Sequence, residues 1–141
     1  MCTPNRGCSL TTSPFFGVRG PFLAVSYTGA AVTAPALSNQ TDGTPTAEGT
    51  ENATVDTTVG NGTLYWAVVP AAGEATDAQI KAGSGGDIVV AGSQAVSGTG
   101  AQTILEITGL EAETEYLIVF LQTSAGGSDS AQAEVALTTT A

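Results

Sequence analysis

From residue 53 onward, apolar and polar positions alternate in short runs separated by glycine, asparagine and proline. That is the periodicity of strands rather than helices. The runs predict strands at 53–59, 63–69, 102–108, 116–122 and 131–138, with weaker ones at 88–91 and 94–96 near an edge. Gly60-Asn61-Gly62 reads as a tight turn between the first two, and Pro70 ends the second. One helical turn is expected at 76–83, with Thr76 or Asp77 as N-cap and Gly83 as its stop. Short strands at regular spacing imply an all-β sandwich.

Alternation also assigns faces. With Leu64, Trp66 and Val68 turned to the core, Tyr65, Ala67 and Val69 point outward. With Ile118 and Phe120 inside, Leu117, Val119 and Leu121 point outward. In a sandwich these two strands are neighbours, so the outward sets merge into one apolar patch, which an isolated monomer rarely leaves wet. Tyr65, Val69, Leu117, Val119 and Leu121 are therefore candidate partner-binding residues, covered by the chain's own leader or by another copy. The alternative is a one-residue slip that exchanges inside for outside.

The first 34 residues differ from the rest. Pro4, Pro14 and Pro21, with Gly7, Gly17, Gly20 and Gly29, interrupt them too often for a helix. Phe15, Phe16, Val18, Phe22, Leu23, Val25 and Tyr27 make them too apolar for a solvated linker. Two placements suit such a segment: a strap on its own sandwich, or an extended arm docking into another subunit. At about 3.3 Å per residue such an arm reaches roughly 110 Å. On the second placement Phe15, Phe16, Phe22 and Leu23 are anchors and Arg19 meets a carboxylate of the partner. The expected domains are an anchoring arm over 1–34 and a sandwich over 35–141.

Charge sharpens the division. The leader carries Arg6 and Arg19 and no carboxylate, whereas Lys81 stands against all 13 Asp and Glu in the remainder, for a net charge of −10. Such a body repels nucleic acid and anionic membranes, so neither is an expected partner. No secretory leader or membrane span is expected. Cys2 and Cys8 read as free thiols in a reducing cytosol, with a small disulfide loop as the alternative.

At 107–116, Ile-Thr-Gly-Leu-Glu-Ala-Glu-Thr-Glu-Tyr, a Leu stands six residues before a Tyr across a polar turn. Leu110 and Tyr116 resemble the tyrosine corner of fibronectin type III domains. Ala112 and Glu113 stand where that family more often has Pro and Gly. The elements in order are Gly60-Asn61-Gly62-Thr63-Leu64-Tyr65-Trp66, the Thr76 to Gly83 turn, Gly92-Ser93-Gln94-Ala95-Val96 and the corner. Together they resemble the fibronectin type III-like modules of structural proteins in tailed bacteriophages and gene-transfer particles, over about three quarters of the chain. The resemblance implies a display or spacer module on a virion, without catalysis.

Little in the sequence argues for chemistry. There is no histidine, so the commonest general base is missing. Glu111, Glu113 and Glu115 form the one local carboxylate cluster and read as a solvated tip, too close-set in a turn for a glycosidase pair. Neither a calcium loop nor a phosphate loop is present, so no metal or cofactor is expected. The Asn39, Asn52 and Asn61 acceptor triplets read as turn residues. The expected role is a non-enzymatic capsid decoration or cement protein on the virion surface, made in the host cytoplasm. Its expected partners are the major capsid protein or another virion subunit, with homo-oligomer contacts. The alternatives are a tail or fibre component, or an extracellular carbohydrate-binding accessory domain, for which Tyr65 and Tyr27 are the available aromatics.

Overall fold

The computed structural model describes residues 33–141, and Thr33–Ala141 forms one compact unit. Threonine, valine and isoleucine favour extended backbone and carry the chain through β1 (Leu37–Thr41), β2 (Thr44–Thr46), β3 (Gly49–Thr57), β4 (Thr63–Pro70), β5 (Val90–Ala95), β6 (Gly100–Thr108), β7 (Glu115–Thr123) and β8 (Ala133–Thr138). Helix α1 (Asp77–Ala82) lies between β4 and β5. Phe15, Phe16, Arg19, Phe22 and Leu23, and with them the expected anchoring arm, lie outside the described residues.

The pairings are antiparallel and build two sheets. In the first, β6 runs along one side of β3, while β1 and β2 share the other side end to end. The second has the order β5-β4-β7-β8. Their inner faces bury one core of Ala53 and Val55 from β3, Leu64 and Val68 from β4, Ile104 and Ile107 from β6, and Ile118 and Phe120 from β7. This is an all-β sandwich.

The expected strands exist, with shifted ends. The two weak candidates at 88–91 and 94–96 are one strand, β5. Gly60-Asn61-Gly62 is not a hairpin turn, because β3 and β4 belong to different sheets and the segment carries the chain across between them. Buried Gln122 holds that crossing. Its amide donates to the carbonyls of Val59 and Asn61, each at 2.8 Å, and its side-chain oxygen accepts from the Thr57 hydroxyl. A buried amide whose groups are all bonded fixes position at little cost, whereas an unpaired one is expensive.

Facing flips once in the first sheet. Before Asn52 in the chain, β3 buries Thr50, and after it Ala53, Val55 and Thr57; β6 correspondingly buries Ile107 opposite Thr50 and Ile104 opposite Ala53. Asn52 adopts a left-handed conformation, φ 60°, which an asparagine tolerates better than most residues. The flip leaves Leu105 at 75% exposure.

The corner forms. Leu110 and Tyr116 are buried, and the Tyr116 hydroxyl accepts from the Glu111 backbone N–H at 3.1 Å. Thr139 closes the same turn: its Oγ1 donates to the Glu111 carbonyl at 2.6 Å and accepts from the Thr114 N–H at 2.9 Å. Glu113, where glycine would be at ease, is held left-handed at φ 54°.

Tyr116→Phe should therefore lower stability in urea denaturation by about 1–2 kcal/mol with the slope unchanged. Glu113→Gly should raise it by up to about 1 kcal/mol, because the strain relieved exceeds the entropy of the added freedom. An unaltered midpoint for Tyr116→Phe would show that the corner bond contributes nothing.

Candidate functional site

The outer face of the second sheet is where the sequence placed a partner. Register along β4 and β7 sets Tyr65 opposite Leu121, Ala67 opposite Val119 and Val69 opposite Leu117. The inward and outward sets are as alternation assigned them: Leu64, Val68, Ile118 and Phe120 join the central core, while Ala67, Val69, Val119 and Leu121 form a second buried cluster on the opposite face.

The β4–β5 connection covers that face. Ile80 on α1 is 1% exposed and completes the second cluster, with Ala75 and Ile88 packed at its border. Val69, Val119 and Leu121 are 0–2% exposed and have no surface to offer a partner. This corrects the expectation that the leader or another copy must cover them. Tyr65 and Leu117 are half-buried at the margin of the cluster.

A six-residue helix has no stability of its own, and local sequence supplies what length does not. Thr76 and Gln79 form a reciprocal capping box, and Gly83 closes the other end at φ 73°. Side chains then tie the strap to the β7–β8 connection. Gln132 donates to the Ala75 carbonyl at 3.1 Å and to Asp77 at 2.6 Å. Lys81 donates to both Asp129 oxygens, at 2.8 and 2.9 Å, and the Thr123 hydroxyl donates to the same carboxylate at 2.6 Å. The Lys81 ammonium and the Thr123 hydroxyl hold the Asp129 carboxyl below the usual carboxylate range, and Asp129 raises Lys81.

Beside α1 lies a cavity of about 220 Å³ lined by Tyr65, Ile80, Lys81, Gly83, Ala91 and Ser93. Its one aromatic is Tyr65, and its one charge is engaged by Asp129. On the inner side of the same strands Trp66 sits across from Gly92, where a Cβ would come within 2.4 Å of the indole. The glycine is thus the floor on which the single tryptophan rests. A second, shallow groove of about 320 Å³ is lined by Glu48, Glu51 and Glu106 with Thr46, Ala47 and Thr108. Glu51 and Glu106 are direct cross-strand partners, an arrangement that repels. Among the described residues no group of three or more His, Cys, Asp or Glu side chains is placed to hold a metal ion. No helix among them is long and apolar enough to cross a membrane. Glu111, Glu113 and Glu115 are exposed, as a solvated tip requires.

The chain matches no family model, no curated protein and no solved structure.

Sequence reasoning found both strands and their faces, and missed only the cover. The signal was Ile80, a lone isoleucine in a well-capped helical turn between two strands that needed a lid.

Ile80→Ala should cost about 2–4 kcal/mol and increase binding of a hydrophobic dye by uncovering the sheet face; a stable variant that binds no dye would show that α1 is not the cover. The ion pair gives a pH signature. Asp129 is lowered by folding, so its contribution is present above about pH 4 and disappears as pH falls through the folded value. Lys81 is raised, so its share is complete below about pH 10 and fades as pH climbs through the folded value. Asp129→Asn should remove both dependences at a neutral-pH cost of about 0.5 kcal/mol, typical of a part-exposed pair. Parallel stability–pH curves for the two proteins would refute this.

Proposed function

We propose that this chain is a virion structural protein, a capsid decoration or cement protein with a fibronectin type III-like sandwich. The N-terminal arm anchors on the major capsid lattice and the acidic sandwich projects outward. The observation that carries the proposal is the tyrosine corner: the Tyr116 hydroxyl bonded to the Glu111 N–H, at the connection between β6 of one sheet and β7 of the other. That corner marks sandwiches of the immunoglobulin and fibronectin kind, and in order after Gly60 to Trp66, the Thr76 to Gly83 turn and Gly92 to Val96 it completes the pattern through which the chain resembles phage structural modules.

Charge and leader composition support the same role. A body whose carboxylates greatly outnumber its one cation stays soluble when many copies crowd on a shell. An apolar leader suits burial at subunit junctions, where each 1,000 Å² of apolar surface removed from water contributes roughly 25 kcal/mol before ordering costs. Phe15, Phe16, Phe22 and Leu23 are the proposed anchors and Arg19 the proposed partner of a shell carboxylate. The partner is the major capsid protein or another virion subunit, and the protein acts on the particle surface without catalysis.

Deleting residues 1–30 should abolish co-sedimentation with purified virus particles, while circular dichroism of the truncated protein remains that of a folded β-sandwich. Binding retained by the folded truncation would overturn the arm as anchor. Absence of the full chain from purified particles, by mass spectrometry, would overturn the virion role.

A further inference from the structure

Five strands flank the two sheets, and β6 stands out among them. Among the described residues it pairs with β3 alone, so its other side meets no further strand there; at its start the Gly100 carbonyl accepts from the Gln102 side-chain amide at 3.2 Å. Natural edges are usually protected by lysine, proline or shortness. β6 has the sequence Gly-Ala-Gln-Thr-Ile-Leu-Glu-Ile-Thr, nine residues with no proline and no lysine. Its outer face is a stripe of exposed Ala101, Thr103 and Leu105, and Leu105 is the most exposed large apolar side chain among the described residues, 75% against 47% for Val89.

The stripe is self-complementary. In antiparallel pairing about a two-fold axis through Thr103, Leu105 of each copy lies on Ala101 of the other and the two Thr103 side chains meet. Threonine on threonine is a favourable cross-strand combination, and the small Ala101 leaves room for Leu105. The single carboxylate of the strand, Glu106, then opposes Gly100. The two Glu106 residues stand six positions apart along the paired strands, roughly 20 Å, beyond the screening length of about 8–10 Å at physiological salt. On a chain of net charge −10, few surfaces let two copies meet without opposing carboxylates.

We infer that two copies of this chain associate edge to edge through β6, in antiparallel register centred on Thr103, joining their first sheets into one continuous sheet. The occupant of this edge is a second copy, and the contact is reversible, because one strand pair buries less than a standard interface.

Sedimentation of the full chain should show mass rising from monomer toward dimer with concentration, and more so at higher salt as repulsion between the acidic bodies is screened. Leu105→Lys places a charge at a solvent-exposed position, should leave the melting temperature within a few degrees, and should lower dimerisation at least tenfold. In a chain with Cys2 and Cys8 replaced by serine, Thr103→Cys should form an intermolecular disulfide on mild oxidation, while cysteine at exposed Ser38, on the far side of the first sheet, should not. Three results would each overturn the inference: a full chain that stays monomeric at millimolar concentration, a dimer unaffected by Leu105→Lys, or β6 amides fully protected from hydrogen exchange in the monomer, which would show that the edge is occupied within one chain.

Discussion

Two central strands with apolar residues on both faces are the constraint from which the rest of this molecule follows. β4 and β7 send Leu64, Val68, Ile118 and Phe120 into the sandwich and Ala67, Val69, Val119 and Leu121 to the other side. A sheet that is apolar on both faces needs two covers. The first sheet supplies one. The β4–β5 connection must supply the other, which is why a short helix occurs in an otherwise all-β chain. Because α1 cannot stand alone, its caps, Ile80 and its links to the β7–β8 connection are all required to hold it down, and the body's one cation is used for that purpose.

The polar interactions divide along the same line. At the sandwich ends, where backbone groups leave the ladders, buried side chains satisfy them: Gln122 at the crossing from β3 to β4, and Tyr116 with Thr139 at the crossing from β6 to β7. These are the positions where the chain changes sheets. Bonds there specify which strand goes to which sheet, a matter that nonspecific apolar burial leaves open.

Much of this was legible in the sequence because period-two alternation is a local signal. It gave the faces of β4 and β7, and Thr76, Gln79 and Gly83 announced a helical turn by their chemistry. What covers a face is a non-local fact that no periodicity carries, so the sheet face suggested cover by the leader or by another copy, when its cover lay in the next connection of the chain. β1 and β2 were illegible for a different reason. Leu-Ser-Asn-Gln-Thr and Thr-Pro-Thr have no apolar alternation, and they are extended because β3 offers them hydrogen bonds. Gly60-Asn61-Gly62 carried hairpin chemistry but spans two sheets, since the residues suited to a tight turn also suit any abrupt change of direction. Of the proposed partner-binding residues, the structure brings Tyr65, Val69, Leu117, Val119 and Leu121 together as the sequence implied, with Val69, Val119 and Leu121 as interior and Tyr65 and Leu117 at its margin.

Self-coverage of the body redistributes where contact with other molecules can occur. Once Ile80 seals the second sheet, the described residues retain few apolar side chains in water, and the broad surface is carboxylate and threonine. On the proposed role, a partner recognised by apolar burial would then be met by the leader, and a partner recognised by backbone pairing at an edge. The two modes do not compete. On that same role, an arm gripping a shell through phenylalanines would fix each copy in place at high local concentration, and under that condition even a weak edge-to-edge contact between neighbours would be populated.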